Sequence, residues 1–452
     1  MTDIVDPIRS TDAGARASLA TLGAIGLAMV SLTAIALRIQ DPDWNTFVLL
    51  LVLHGFLTIA ATKVAERAPG AFGLALVAVV ALAMRLMVLG EDPILSSDIY
   101  RYIWDGRVQS AGINPYRYIP ADPHLADLRD ALIYPNINRV DYATTIYPPV
   151  AQFFFFAVTR LSESVTGMRL ALIGCEIVIL LALVDLLRRF NKSPALAVAY
   201  AWHPLAVWEI ANSGHVDAVM VMLVMIGVWL LVRCRRIAAG ILIALATLVK
   251  PYAVVILPAC WKPWDWRLPV AATLVLIACY LPYIGVGQGV LGFLLGGYLS
   301  EEGFRGGEGF WLVNVARHAF GDIPGLQALY ILFAAGVLGT LALRMAFTLE
   351  ASPERRMRDI AMLLMTGLFF LSPNYAWYFL VVVPLIPIGG GTPAWALSIG
   401  ALLLYLLYPD YAARFLIWKG VISIAFLLAV LAGTSWRTSW HAPMERALRW
   451  TR

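Results

Sequence analysis

Residues 91–149 read EDPILSSDIYRYIWDGRVQSAGINPYRYIPADPHLADLRDALIYPNINRVDYATTIYPP, and this stretch decides the fold. Asp, Arg, Asn, Tyr and Pro crowd together here between long apolar segments. In hydrocarbon, an unpaired charge or an open backbone polar group costs several kcal/mol. The stretch therefore belongs outside a bilayer, and the rest of the chain reads as a scaffold that holds it at the membrane surface.

Composition supports that reading. The chain has 452 residues, 60% of them hydrophobic and 14% charged, with a mean hydropathy of +0.76. Soluble domains average roughly 45–50% apolar, which points to a polytopic membrane protein. The 15 Trp and 18 Tyr suit interfacial belts. The net charge of +5 calls for no nucleic-acid partner, because the basic residues cluster in short loops as the positive-inside bias demands. Cys175, Cys234, Cys260 and Cys279 lie in or beside apolar segments without metal-like spacing, and are expected to be packing residues.

Hydropathy predicts an all-α protein with about twelve to fourteen transmembrane helices. Ala17–Leu37, Phe47–Ala61 and Ala71–Leu89 come first. Lys63 and Arg67 between the second and third place that loop inside, so the N-terminus is inside and the 91–149 loop outside. Val150–Val158 is too short to span and reads as an interfacial helix. Met168–Leu187, Pro194–Ile210 and Val216–Val232 follow as spans, with RRFNK and RCRR at inner ends. Ile237–Ala259 carries Lys250-Pro251 in its middle, and two short helices broken there fit the flanking charges better than one span. Pro269–Ile284 leads to a second external loop, Gly285–Ile323. Leu326–Ala346, Ile360–Leu371, Phe379–Ile388, Ala394–Leu407 and Phe415–Ala432 complete the spans, and Arg437, Arg446, Arg449 and Arg452 put the C-terminus inside.

Chemistry is expected in the external loops. In SSDIYRYIWDGR, Asp98, Tyr102 and Asp105 fall on one helix face. Asp98 sits in the first turn, where the helix dipole favours a carboxylate, and it either acts as a general base or merely caps the helix and pairs with Arg101. Asp105, one turn after Arg101, reads as the structural acid. External cations for an anionic ligand are Arg101, Arg107, Arg117, Arg139, Arg305 and Arg317. Arg305, in the glycine-rich FRGGEG, is the first choice, because backbone can approach a ligand there. His215 and Asp217, at the outer end of two spans, either cap a helix or contact ligand; no third residue suggests a metal. Lys250 either snorkels at a broken helix or binds substrate. Glu301 and Glu302 read as a solvated loop edge, with contact to substrate as the alternative. Trp311, Trp377 and Tyr378 either anchor at the interface or stack on a ligand.

The runs DIYRYIWDGRVQSAGINPY, IYPPVAQ, ANSGHVDAVM, ATLVKPYAVVILP and SPNYAWYFLVVVP, taken in order, resemble the successive motifs of the polytopic GT-C glycosyltransferases. The similarity is greatest to the bacterial branch that uses polyprenyl-phosphate-mannose, and it extends from about Ala71 to Pro387. The resemblance implies that Asp98 is the catalytic base and that Pro148-Pro149 opens an interfacial helix, and Tyr147 just before it is expected to bind substrate. It implies two extra N-terminal helices in residues 1–70, a catalytic core in 71–388, and C-terminal helices with a cytoplasmic tail in 389–452. Relatives read His-Pro-Trp-Tyr where this chain has Tyr375-Ala376-Trp377-Tyr378, so it lacks a histidine that they contribute.

The expectation is therefore an inverting membrane glycosyltransferase. It would move mannose or a similar hexose from a polyprenyl phosphate to a lipid or glycan acceptor at the outer face of the cytoplasmic membrane, without a divalent metal. A flippase for lipid-linked sugars is the alternative from another class, and it would show related halves and polar residues at the midplane of several helices.

Overall fold

The computed structural model describes residues 7–41, 43–68, 70–286, 289–348, 352–408 and 411–448. No strand occurs among them; the chain is an all-α polytopic membrane protein. Three long helices, α1 (Pro7–Ile39), α2 (Trp44–Ala65) and α3 (Gly70–Leu89), lead into the polar loop. That loop carries α4 (Asp98–Ser110) and 3-10 turns at Pro123–Leu128 and Tyr134–Asn136. The short α5 (Pro149–Thr159) starts on the proline pair, and α6 (Val165–Arg189) then crosses the bundle.

The longer α-helices that follow are α7 (Asp217–Val232), α8 (Arg236–Thr247), α9 (Arg267–Tyr280), α10 (Trp311–Phe320), α11 (Leu326–Phe347), α12 (Pro353–Leu371), α13 (Gly391–Gly400) and α14 (Tyr411–Leu448). The side chains of Arg437, Arg446, Arg449 and Arg452 lie outside the described residues. Helix α12 starts seven residues before the apolar run does, because Ser352 caps it and Pro353 takes its first position.

Seven helical stretches among the described residues are long and apolar enough to cross a membrane, and four shorter apolar helices join them. The hydropathy count of twelve to fourteen is higher because it treats broken segments as regular spans. Pro194–Ile210 is the clearest correction. It is not one helix but a 3-10 turn (Pro194–Ala197), one α-turn (Val198–Ala201), a break at Trp202-His203, and a helical restart at Pro204 that runs into a π-turn (Ala206–Asn212). Pro204 lacks an N–H and disfavours a helical residue before it, which frees carbonyls in a buried segment. Neighbouring helices satisfy them. Arg85 Nη1 of α3 donates to the Ala201 carbonyl (2.8 Å), while Thr58 Oγ1 and His54 Nε2 of α2 donate to that of Trp202 (3.0 Å each). Arg85 is itself neutralised by Glu176 of α6 at 2.8 Å.

The stretch around Lys250-Pro251 is a hairpin, as the charges predict. Helix α8 forms one arm and a 3-10 run, Pro251–Ala259, the other. Both outer ends return to the same place: a Cβ on Gly240, early in the first arm, would collide with Leu268, just beyond the second. The tip holds the start of α5, the Leu248 carbonyl accepting the Val150 N–H at 3.1 Å. Ala376–Tyr405 is apolar throughout, yet it also folds back at Gly389–Gly391, where Gly391 takes φ +55°. Its first arm is 3-10 over Ala376–Leu385. A 3-10 run rises about 2.0 Å per residue against about 1.5 Å for an α-helix, so these short arms reach far across a bilayer.

Short basic loops gather at one end of the bundle. Lys192 Nζ donates to the Pro387 carbonyl (2.5 Å), Arg356 Nη1 to that of Ala259 (3.1 Å), and Asp185 pairs with both Arg189 and Arg233. The 91–149 loop and α5 cover the opposite end.

Candidate active site

A cavity of about 510 Å³ opens at the loop end. Asp98 lies on its wall because several motifs meet beneath it. Asn212 Oδ1 accepts the Ile94 N–H (2.9 Å), Ser213 Oγ the Leu95 N–H (3.1 Å), and Asn212 Nδ2 donates to the Asp92 carbonyl (3.0 Å). Gly214 follows at φ +73°, and a Cβ there would run into Ile99. ANSG thus docks the entry to α4, and α4 begins at Asp98 itself, with Ser96 Oγ accepting the Asp98 N–H (3.1 Å).

The deeper face of α4 is closed. Arg101 Nε meets Asp105 Oδ1 at 2.8 Å, and its Nη atoms donate to the Ala143 carbonyl. Gln152 Nε2 bridges Asp105 Oδ2 (2.9 Å) and Thr145 Oγ1 (2.8 Å). Tyr102 is buried, stacked on Phe155 (4.5 Å) and edge-on to Tyr147 (5.0 Å). Arg107 is engaged away from the cavity by Asp130 and Glu163, both at 2.8 Å. Asp130 is held down at about 2; burial works against its charge, but Arg107 and the Ile133 and Tyr134 amides outweigh it.

Asp98 itself stays half open. Asn138 Nδ2 donates to its Oδ1 at 2.5 Å, and Oδ2 has no hydrogen-bonding partner among the described residues. Arg139, next in sequence, also lies on the wall, with Nε 2.6 Å from Glu301 Oε2. Burial opposes its charge, yet the bond to Glu301 and the nearby Asp98 carboxylate hold the guanidinium more firmly protonated than usual. Tyr147 is on the wall too; burial, then the Asp98 carboxylate, pushes its hydroxyl well up, which keeps the phenol neutral.

Lys250 reaches the cavity from the hairpin tip. Its Nζ lies 3.2 Å from Asp217 Oδ2, and 5.9 and 5.4 Å from the ring centres of Tyr147 and Tyr378. Trp377 stacks between Tyr375 (4.3 Å) and His215 (4.1 Å), with both Tyr375 and Trp377 facing the cavity. Tyr298 from the second loop donates to or accepts from Tyr378 Oη at 2.7 Å.

Of the residues chosen from sequence, Asp98, Arg139, Tyr147, Lys250 and Trp377 line the cavity. His215, Asp217 and Tyr378 stand one layer behind: Asp217 orients Lys250, and His215 backs Trp377. Arg101, Tyr102, Asp105 and Arg107 hold the loop together. Arg305 is exposed and off the wall. Its glycine-rich run folds on itself instead: the Gly307 and Gly309 N–H groups donate to the Gly303 carbonyl, and Gly309 O is pinned by Lys419 Nζ (2.9 Å) and Ser372 Oγ (3.1 Å). Glu301, read as a solvated edge, is instead a wall residue paired to Arg139, and Glu302 is buried against Asn374 Nδ2 (2.8 Å). Sequence reasoning missed Asn138, Tyr298, Tyr405 and Arg414. No group of three or more His, Cys, Asp or Glu side chains among the described residues is arranged to hold a metal ion.

The chemistry on offer is an open oxygen on Asp98, three cations (Arg139, Lys250 and Arg414) and an aromatic wall around a space of sugar size. Searches among curated proteins and among solved structures give no match. A family model, the MptA_B family, described as Alpha-(1->6)-mannopyranosyltransferase, N-terminal domain, matches residues 18–265. The matched part takes in most of α1 and all of α2 to α8, and contributes Asp98, Asn138, Arg139, Tyr147 and Lys250 to the cavity; the wall residues from Tyr298 onward lie beyond it. The chain belongs to the alpha-(1->6)-mannopyranosyltransferase family and is a membrane mannosyltransferase.

Proposed function

We propose that this enzyme transfers mannose from a polyprenyl phosphate to a hydroxyl of a lipid or glycan acceptor at the external face of the cytoplasmic membrane. The observation that carries the reading is the cavity's charge layout: Asp98 with an open Oδ2, and Arg139 and Lys250 on the same wall. Asp98 takes the acceptor proton as the acceptor oxygen attacks the anomeric carbon. The bond from that carbon to the phosphate oxygen breaks, and the phosphate leaves with the electron pair toward Arg139 and Lys250. Tyr375, backed by Trp377, offers the sugar an apolar face. In-line attack inverts the anomeric centre, so the α-linked product in the family's name requires a β-linked mannosyl phosphate donor. No metal takes part in this scheme.

The side assignment rests on charge. The short basic loops gather at the end opposite the cavity, and the positive-inside bias makes that end cytoplasmic. Arg and Lys on the wall suit a phosphate, and a lipid-borne donor suits a cavity at the membrane boundary.

The test uses purified protein in lipid with radiolabelled polyprenyl-phosphate-mannose, or a nucleotide-linked mannose, and a membrane lipid extract as acceptor. Transfer from the polyprenyl donor alone, into a product cleaved by α-mannosidase, is the expected result. Transfer from the nucleotide sugar alone would overturn the donor assignment, and a β-linked product would overturn the inversion.

A further inference from the structure

Asn138 and Arg139 are consecutive, yet both side chains reach the cavity wall. Extended backbone would send them to opposite sides. The difference lies in Arg139, which adopts a left-handed conformation at φ 55°. That region is unfavourable for a residue with a side chain, and such outliers concentrate where geometry serves a site. The corner is fixed on both flanks: the Ala143 N–H donates to the Arg139 carbonyl (3.2 Å), and the Ala121 N–H to that of Val140 (3.1 Å).

The polarity of the Asn138–Asp98 contact is fixed by chemistry, since a carboxylate only accepts and the amide must present its NH₂. That donor occupies Oδ1 and leaves Oδ2 as the oxygen facing an incoming hydroxyl. One residue later, the Arg139 guanidinium is steered by Glu301. Two neighbouring side chains thus address the two ends of an in-line displacement, one through Asp98 and one directly.

From this geometry we infer that Asn138 is a positioning residue: its amide orients Asp98 so that Oδ2 receives the acceptor proton, while Arg139 beside it serves the donor phosphate. The inference rests on Asp98 being the base, and it assigns Asn138 an effect on turnover rather than on donor binding.

The test compares kcat and donor KM for wild type, Asn138→Leu, Asn138→Ser and Arg139→Met in purified, lipid-reconstituted protein, with Asp98→Asn alongside. A hydrogen bond to a charged group contributes about 1.5–3 kcal/mol, so Asn138→Leu is expected to lose about 10- to 100-fold in kcat. Its donor KM should stay within about twofold, and Asn138→Ser, which keeps a donor, should recover part of the kcat. Arg139→Met should show the opposite split, with the larger change in KM. Wild-type kcat in Asn138→Leu, or a loss carried by KM, overturns the inference; if that variant does not accumulate, a KM-borne loss or unchanged kcat in Asn138→Ser does so. Retained transfer by Asp98→Asn would instead remove the base assignment beneath it, so the two failures are distinguishable.

Discussion

Helix α4 presents two acids with different fates. Asp105 is buried, with one oxygen on Arg101 and the other on Gln152, so every strong interaction available to it is used inside the protein. Asp98, two turns earlier, has a single amide on Oδ1 and an open Oδ2 at a cavity. The same contrast separates the arginines. Arg101 and Arg107 are consumed by loop packing, whereas Arg139 faces the cavity and is held by a carboxylate that an anionic ligand could replace. What distinguishes an open charge from a closed one here is the completeness of its partners. Residue type and distance from the helix start do not.

The contrast breaks most visibly on substitution of Asp105. Asp105→Asn leaves the Arg101 guanidinium buried without its counter-charge, and losing one member of a buried pair typically costs about 3–5 kcal/mol. Thermal unfolding in detergent should show a large drop for Asp105→Asn and little change for Asp98→Asn. Similar stabilities for the two would erase the distinction.

On the cavity side, Lys250→Met removes the ammonium that the proposed scheme assigns to the donor phosphate. Donor KM, measured by initial rates, should rise about 10- to 100-fold, in the range of one charged hydrogen bond. A smaller effect of opposite sign is expected for Glu301→Gln. Arg139 then no longer has to leave an ion pair before meeting phosphate, and donor KM should fall by about two- to fivefold. An unchanged KM would mean that Arg139 keeps Glu301 in the complex.

The smallest effect sharpens the structural half. Asp130 is held at about 2 against an ordinary value near 3.8. Its folded-state value is depressed, so the stabilisation is present above about 3.8 and is lost as pH falls toward 2. Hydrogen exchange of the Ile133 and Tyr134 amides, which Asp130 accepts, should lose protection in that window ahead of the membrane helices. Uniform protection down to pH about 2 would remove Asp130 as a clamp.

Much of this arrangement is readable in the residues, and the exceptions have physical causes. The start of α4 at Asp98, the structural role of Asp105, the short α5 and the hairpin at Lys250-Pro251 each leave a local mark: a polar first turn, an i,i+4 pair, a proline pair, or a charge inside an apolar run. The breaks in Pro194–Asn212 leave less, because an apolar segment looks alike whether α, 3-10 or π; only His203-Pro204 hints at them. Asn138 and Arg139 sit in an aperiodic loop, where position depends on a left-handed backbone that composition does not encode. Tyr298, Glu301, Tyr405 and Arg414 come to the wall from chain segments far apart in sequence. Arg305 misled because a glycine-rich run that wraps a ligand and one that wraps itself have the same composition.

The account turns on Asp98 as the one acid of α4 left free to do chemistry. Its most direct test is single-turnover transfer by Asp98→Asn and Asp105→Asn, each normalised to folded protein and paired with a donor-binding measurement. The account predicts that Asp98→Asn binds donor as wild type does and loses about 10²- to 10⁴-fold in the transfer step, while folded Asp105→Asn transfers normally. Wild-type transfer by Asp98→Asn, or a folded Asp105→Asn without transfer, would contradict it.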